Sequence, residues 1–259
     1  MAILVTRPGE KGKTLCELLN QNGFASLHVP LIEIISGADL NALPARMREL
    51  NAGDGVLAVS QSAVRFAHTA LCNVGARWRD DVRYFTVGAK TAQALCECCE
   101  HGVHYPFPQE SSEGLLAQPH FAQFDGQKML ILRGNGGREL IANHLRERDV
   151  AVEYVQTYQR VGLEYDMAAQ LNMWKRAGIS TIIVTSGEIL RYLVESVGKN
   201  HHNWLLEQQF VTISARIAQQ AQEYGCRKVA VSARADNASI LATLRLLKMN
   251  NISDEVEYE

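Results

Sequence analysis

Ile3-Leu4-Val5-Thr6-Arg7-Pro8-Gly9 has a counterpart 126 positions further along, in Met129-Leu130-Ile131-Leu132-Arg133-Gly134-Asn135. The same spacing of 126 relates Val56-Leu57-Ala58-Val59-Ser60-Gln61 to Ile182-Ile183-Val184-Thr185-Ser186-Gly187, and Phe85-Thr86-Val87-Gly88 to Val211-Thr212-Ile213-Ser214. Each stretch is a short apolar run that ends in polar or small residues just before helical periodicity, the form of a buried parallel strand feeding a helix. The chain therefore reads as a duplicated α/β unit. Open α/β sheets bind ligands beyond the carboxyl ends of their strands, so two facing units would line a cleft with two related sets of strand ends.

The length of 259 residues suits two domains, each able to bury a core, and 47% hydrophobic with 21% charged residues is an ordinary globular composition. With 26 basic against 28 acidic residues the net charge is −2, so no global field draws the chain to nucleic acid or to anionic membrane. An anionic ligand must then be held by local arginines and backbone amides. No apolar stretch approaches the roughly 20 residues that span a bilayer. The opening Ala2-Ile3-Leu4-Val5 reaches Arg7-Pro8 at once, which is not a signal-peptide pattern. The six cysteines lack the paired C-x-x-C motifs of zinc sites, and Cys96, Cys98 and Cys99 share one helical stretch that does not converge on an ion. Reduced thiols, a cytoplasmic location and no metal are the expectation.

Pro30-Leu31-Ile32-Glu33-Ile34 and Thr157-Tyr158-Gln159-Arg160-Val161 are extended, β-rich and at matching places in the two repeats, as strands crossing between lobes would be. Whether the repeats sit in tandem or exchange their leading units is open at this level. The final residues, 250–259, are acidic and lack apolar periodicity, which predicts a disordered tail.

Leu132-Arg133-Gly134-Asn135-Gly136-Gly137-Arg138-Glu139-Leu140 is the densest local signal. Glycines after a strand admit a ligand to the backbone, a helix start offers free N–H groups to an anion, and Arg133 and Arg138 could pair with carboxylates. The bland reading is a tight turn. The spacing is neither G-x-G-x-x-G nor a G-K-[ST] phosphate loop, which weighs against a nucleotide enzyme. Ser60-Gln61-Ser62 and Thr185-Ser186-Gly187 read either as plain helix N-caps or as ligand contacts at strand ends; they are not a G-x-S-x-G nucleophile elbow. Gly88-Ala89-Lys90-Thr91-Ala92 has the same form, and its counterpart Ser214-Ala215-Arg216-Ile217-Ala218 has isoleucine where the first copy has threonine. Tyr158 is either packing in a strand or a phenol aimed at the ligand.

Taken in order, Leu4-Val5-Thr6-Arg7-Pro8, Ser60-Gln61-Ser62-Ala63-Val64, Val87-Gly88 with Thr91-Ala92, Ser112-Glu113-Gly114-Leu115-Leu116, Leu130-Ile131-Leu132-Arg133-Gly134 with Gly137-Arg138, and Thr157-Tyr158-Gln159-Arg160 resemble the uroporphyrinogen-III synthase family. No single stretch is specific; the ordered set, from residue 2 to about 247, is. The resemblance implies two flavodoxin-like parallel-sheet lobes joined by a two-stranded β linker. The first lobe would be discontinuous (1–34 with 165–247) and the second would be 38–157, with linker strands at 30–37 and 157–164. It implies a cofactor-independent reaction in heme biosynthesis, in which hydroxymethylbilane loses water and closes with ring D inverted to uroporphyrinogen III. It implies Tyr158 as the residue assisting departure of the hydroxyl. Arg7, Ser60, Gln61, Ser62, Thr91, Arg133, Gly134, Arg138, Ser186, Gly187, Ser214 and Arg216 would be the substrate contacts. Where the family commonly has Gly-Pro-x-Thr-Ala, this chain has Ser214 to Ala218, so a hydroxyl is missing and Arg216 is the expected replacement. A monomer that receives its substrate from hydroxymethylbilane synthase is the expectation. The alternative is a non-catalytic two-lobed binding protein for an anionic small molecule.

Overall fold

The computed structural model describes the backbone of residues 1–256 and side chains to residue 250. Among the described residues there are twelve strands: β1 (Ala2–Val5), β2 (Ala25–His28), β3 (Ile32–Ser36), β4 (Gly55–Ala58), β5 (Arg83–Thr86), β6 (Val103–His104), β7 (Lys128–Arg133), β8 (Ala151–Gln156), β9 (Tyr158–Gly162), β10 (Ile179–Val184), β11 (Gln209–Thr212) and β12 (Lys228–Val231). The α-helices are α1 (Gly9–Gln21), α2 (Leu43–Arg48), α3 (Gln61–Asn73), α4 (Ala89–Cys99), α5 (Ser112–Leu116), α6 (Pro119–Ala122), α7 (Leu140–Arg146), α8 (Met167–Arg176), α9 (Gly187–Val197), α10 (His202–Glu207), α11 (Ala215–Glu223) and α12 (Asn237–Val256). The acidic tail expected from residue 250 overlaps the end of α12, which continues to Val256; its last three residues lie outside the described ones.

The chain divides into two compact units, Met1–Glu33 with Val161–Glu259, and Ile34–Arg160. The first is built on a five-stranded sheet in the order β12-β11-β10-β1-β2, the second on one in the order β6-β5-β4-β7-β8. All pairings in both are parallel. The duplication is preserved to the residue. Gly55 pairs with Met129 in the second unit as Thr181 pairs with Ile3 in the first, and Gly55 with Arg83 as Thr181 with Gln209. The question of tandem or exchange is thereby answered. Each sheet takes two strands from the leading part of one sequence repeat and three from the trailing part of the other.

Numbered from the β1 end, the first sheet has the 2-1-3-4-5 order of flavodoxin-like folds. Its inner strands β1, β10 and β11 are buried on both faces, and successive side chains alternate between two cores. Leu4, Ile182 and Val184 enter one core, while Ile3, Val5 and Ile183 enter the other. The second unit does the same, with Val56, Leu130 and Leu132 on one face and Leu57, Met129 and Ile131 on the other. Strands β3 and β9 form a separate two-stranded sheet at the crossing points. Gly37 N bonds to Thr157 O near one end and Leu163 N to Leu31 O near the other, so the two strands run antiparallel. The α/β architecture and the two-stranded linker agree with the expectation.

Candidate active site

The order of each sheet reverses direction at a point where two adjacent strands send their helices to opposite faces, and there the loops part. In the second unit this point lies between β4 and β7, whose carboxyl ends lead to Ser60 and Gly134. Ser60 is the N-cap of α3: its backbone is extended and its Oγ accepts the Ala63 N–H at 3.2 Å. The Ser60 hydroxyl also donates to a second partner, the Tyr158 hydroxyl, 3.2 Å away. Tyr158, the first residue of β9, is 3% exposed. Its ring stacks on Phe66 at a centroid distance of 6.4 Å, and Arg160 Nη2 donates to its oxygen at 3.2 Å. Gly134 makes room for this ring, since a Cβ there would lie 2.7 Å from it. Ser60, Gly134 and Tyr158, singled out separately in the sequence, thus meet at one place.

The arginines of the β7 loop have partners within the unit. Arg133 Nη1 bonds Glu139 Oε1 at 2.6 Å, and its guanidinium lies 4.5 Å from the centre of the Tyr154 ring. The Tyr154 hydroxyl donates to the same Glu139 carboxylate. These bonds, first from Tyr154 and then from Arg133, hold the Glu139 carboxyl below its usual range. Burial, and next the bond to Glu139, pushes the Tyr154 phenol up. Arg138 pairs with Glu113 at 3.0 Å on an exposed surface. The helix that follows, α7, has no side-chain cap.

At the β5 end, Gly88 caps α4 without a side chain. A carboxylate fills the place: Glu110 Oε2 accepts the Ala89 N–H at 2.9 Å. This is the interaction expected of an acidic ligand at a helix start, made by the chain itself. Thr91 is buried in the first turn of α4, and Gln61 Nε2 reaches the Lys90 carbonyl at 3.4 Å. Ser62 is half-buried in the first turn of α3.

In the first unit the equivalent positions are bonded differently. Ser186 caps α9 through the Ile189 N–H at 3.1 Å, and Ser214 caps α11 through the Ile217 N–H at 3.4 Å. Gly187 lies beneath the Gln220 side chain, whose Nε2 donates to the Gly187 carbonyl at 3.2 Å. Arg7 Nη1 bonds Asn237 Oδ1 at 3.1 Å, and burial lowers the basicity of its guanidinium. Arg216 is exposed in the first turn of α11. Ser60, Ser186 and Ser214 are therefore all helix caps, which was the bland reading, and Ser60 is a cap with a second bond.

Sequence reasoning passed over Arg160 and Glu110 as site residues. Arg160 stood in a quoted extended, β-rich segment but was not singled out there. Glu110 carries no local signal, because its partner lies 21 residues earlier in the chain. Among the described residues no group of three His, Cys, Asp or Glu side chains is placed to hold a metal ion, and no helix is long and apolar enough to cross a membrane.

The family model described as uroporphyrinogen-III synthase HemD matches residues 13–242. The uroporphyrinogen-III synthase of Salmonella typhimurium is 38% identical over 246 residues, covering 95% of this chain and all of that protein. The Escherichia coli enzyme is 37% identical over the same shares. Among solved structures, a mutant uroporphyrinogen III synthase from Thermus thermophilus superposes with a TM-score of 0.63 at 18% identity, covering 96% of this chain and 99% of that one. Uroporphyrinogen-III synthetase from Helicobacter pylori gives 0.59 at 13% identity, covering 95% and 100%. These two share the fold, and the two sequence relatives are matched over their whole length: the chain belongs to the uroporphyrinogen-III synthase family.

Proposed function

We infer that the chain is an enzyme of tetrapyrrole biosynthesis that cyclises hydroxymethylbilane, with loss of water and inversion of ring D, to uroporphyrinogen III. The observation that carries this is the 38% identity to a uroporphyrinogen-III synthase over its whole length.

The chemistry asks for a proton donor at the departing hydroxyl and for firm control of a reactive cation. In the first step the C–O bond of the hydroxymethyl group breaks and the oxygen takes a proton to leave as water. The remaining carbon is an azafulvene cation stabilised by its pyrrole. That cation attacks the substituted carbon of ring D to give a spiro intermediate, which fragments and recloses with the ring inverted. The ring proton lost at the end restores the donor, so one water is the only other product. Tyr158 is the proposed donor. It is a phenol among apolar neighbours, with its oxygen fixed by Ser60 and Arg160. General-acid assistance of this kind is worth roughly 10²–10⁴ in rate.

Closure without inversion needs no enzyme, so holding the substrate in one shape is much of the task, and positioning can supply a large part of the barrier reduction. We assign the substrate's carboxylates to helix starts and nearby polar groups. In the second unit these are Gln61 and Ser62 on α3, Thr91 on α4, and Arg138, whose side chain is 73% exposed. In the first they are Ser186 and Gly187 on α9, Ser214 and Arg216 on α11, and Arg7. Arg133 and Gly134 act through what they hold: Arg133 braces Glu139 and Tyr154, and Gly134 seats Tyr158. A monomer working in the cytoplasm, supplied by hydroxymethylbilane synthase, completes the proposal.

The test generates hydroxymethylbilane in situ, adds the purified chain without metal or cofactor, and resolves the oxidised porphyrin isomers. Predominant isomer III is the expected result. Isomer I alone from a folded sample would overturn the reading in favour of a binding protein.

A further inference from the structure

We propose that Arg160, together with Ser60, is a positioning residue that leaves the Tyr158 proton as the one group the phenol has to give. The inference rests on the assignment of Tyr158 as the proton donor. A phenol oxygen donates one hydrogen bond and accepts others. Here two donors point at it. Arg160 Nη2 lies 3.2 Å away, and a guanidinium donates only. Ser60 Oγ, which accepts the Ala63 N–H of α3, also donates to the phenol oxygen at 3.2 Å. With both partners donating, the phenol hydrogen is turned away from them and stays available for a third oxygen.

The arrangement is braced on every side within the second unit. The Arg160 backbone is clamped to the β7 loop by a reciprocal pair, Asn135 Nδ2 to Arg160 O at 3.0 Å and Arg160 N to Asn135 Oδ1 at 2.9 Å. Its guanidinium carbon lies 5.4 Å from the centre of the Tyr158 ring. Phe66 stacks on the ring, and Gly134 lies against its hydroxyl-bearing edge. The same two donors serve after proton transfer. When the C–O bond breaks and the phenol proton leaves with the hydroxyl as water, the phenolate left behind is already bonded to a serine hydroxyl and to a cation. Charge-assisted bonds of this kind are about twice as strong as neutral ones, so the pair favours the state after transfer over the state before it. Such a preference lowers kcat when lost and leaves ground-state binding alone.

The experiment is a double-mutant cycle on the full chain with Arg160→Met and Tyr158→Phe, read as kcat, KM and the ratio of isomer III to isomer I. Met keeps the apolar length of the side chain, and the Asn135 clamp uses only the Arg160 backbone, so folding is retained; Arg160→Lys, which restores a donor and the charge, is the second variant. The expected result is a fall in kcat of roughly tenfold to a hundredfold for Arg160→Met, with KM within about twofold. Arg160→Lys should recover part of the loss, and Arg160→Met should cost nothing further once Tyr158 is Phe. A full loss from Arg160→Met in the Tyr158→Phe background would place Arg160 on a different task and overturn the inference. So would a kcat unchanged in Arg160→Met beside a Tyr158→Phe enzyme that is impaired. Unimpaired turnover in Tyr158→Phe would instead remove Tyr158 as the acid and the inference with it.

Discussion

The two units share strand order, register and core faces, yet at equivalent points they carry different chemistry. Ser60 and Ser186, 126 positions apart, both cap a helix, but only Ser60 has a second bond, because only its unit places a tyrosine over it. The residue 126 positions before Tyr158 is Ile32, buried in the core of the first unit. Ser214 supplies its own cap to α11, whereas its counterpart Gly88 leaves the start of α4 to the carboxylate of Glu110. Duplication copied the scaffold, which apolar alternation specifies. The polar groups at the strand ends were free to diverge, because caps and loops exchange partners at a cost of about 1 kcal/mol each, far less than a core residue.

The largest effect should fall on the residue that breaks the symmetry. Tyr158→Phe keeps the ring, its stacking on Phe66 and its fit against Gly134, and removes only the hydroxyl. Turnover in the coupled assay should fall roughly 10²- to 10⁴-fold, with a smaller change in KM. If turnover survives, the second unit is no more catalytic than the first.

The cores should behave alike. Leu4 and Leu130 are equivalent and both fully buried. Each Leu→Ala substitution should therefore cost about 2–5 kcal/mol of stability, by lost transfer and by the cavity left. Denaturant unfolding of both variants checks this. A cost confined to one of them would mean that the units differ in their packing as well as in their chemistry.

What could be read ahead of the structure follows the same division. Strands β1, β4, β7 and β10 were legible because burial on both faces leaves an unbroken Val, Ile and Leu run, and because the run recurs at fixed spacing. Ser60 and Tyr158 were legible as residue types at the right strand ends. The pairing of Arg133 with Glu139 was not, although both stand in one quoted stretch, since an ion pair across a turn depends on the turn's path. Arg160 and Glu110 were hidden for a stronger reason. Glu110 meets Ala89 from 21 residues away in the chain, and Arg160, only two residues from Tyr158 on the same strand, shows its bond only in the path of its side chain.

The serine caps separate the two halves of the comparison. Ser60→Ala and Ser186→Ala each remove a bond to a helix amide and should each lose about 0.5–2 kcal/mol of stability. Only Ser60→Ala also removes a donor from Tyr158, so only it should lower kcat. Thermal unfolding and the coupled assay on the pair decide the matter. A kcat unchanged in Ser60→Ala would show that Ser60 acts as a cap and nothing more.

The smallest expected effect concerns the start of α4. Glu110 holds the Ala89 N–H with a full negative charge, in the place where we assign a substrate carboxylate. Carboxylate and ligand then compete for one donor, and the helix dipole favours each of them by about 0.3–1 kcal/mol. Glu110→Gln keeps the shape and an acceptor oxygen but removes the charge. It should weaken the internal cap slightly and lower KM by roughly twofold to fivefold, the same energy read as affinity. The corresponding change in the first unit, Ser214→Gly, has no competing carboxylate to release and should raise KM or leave it alone. A rise in KM for Glu110→Gln would mean that the carboxylate organises the loop for the substrate, and that the start of α4 is closed to it.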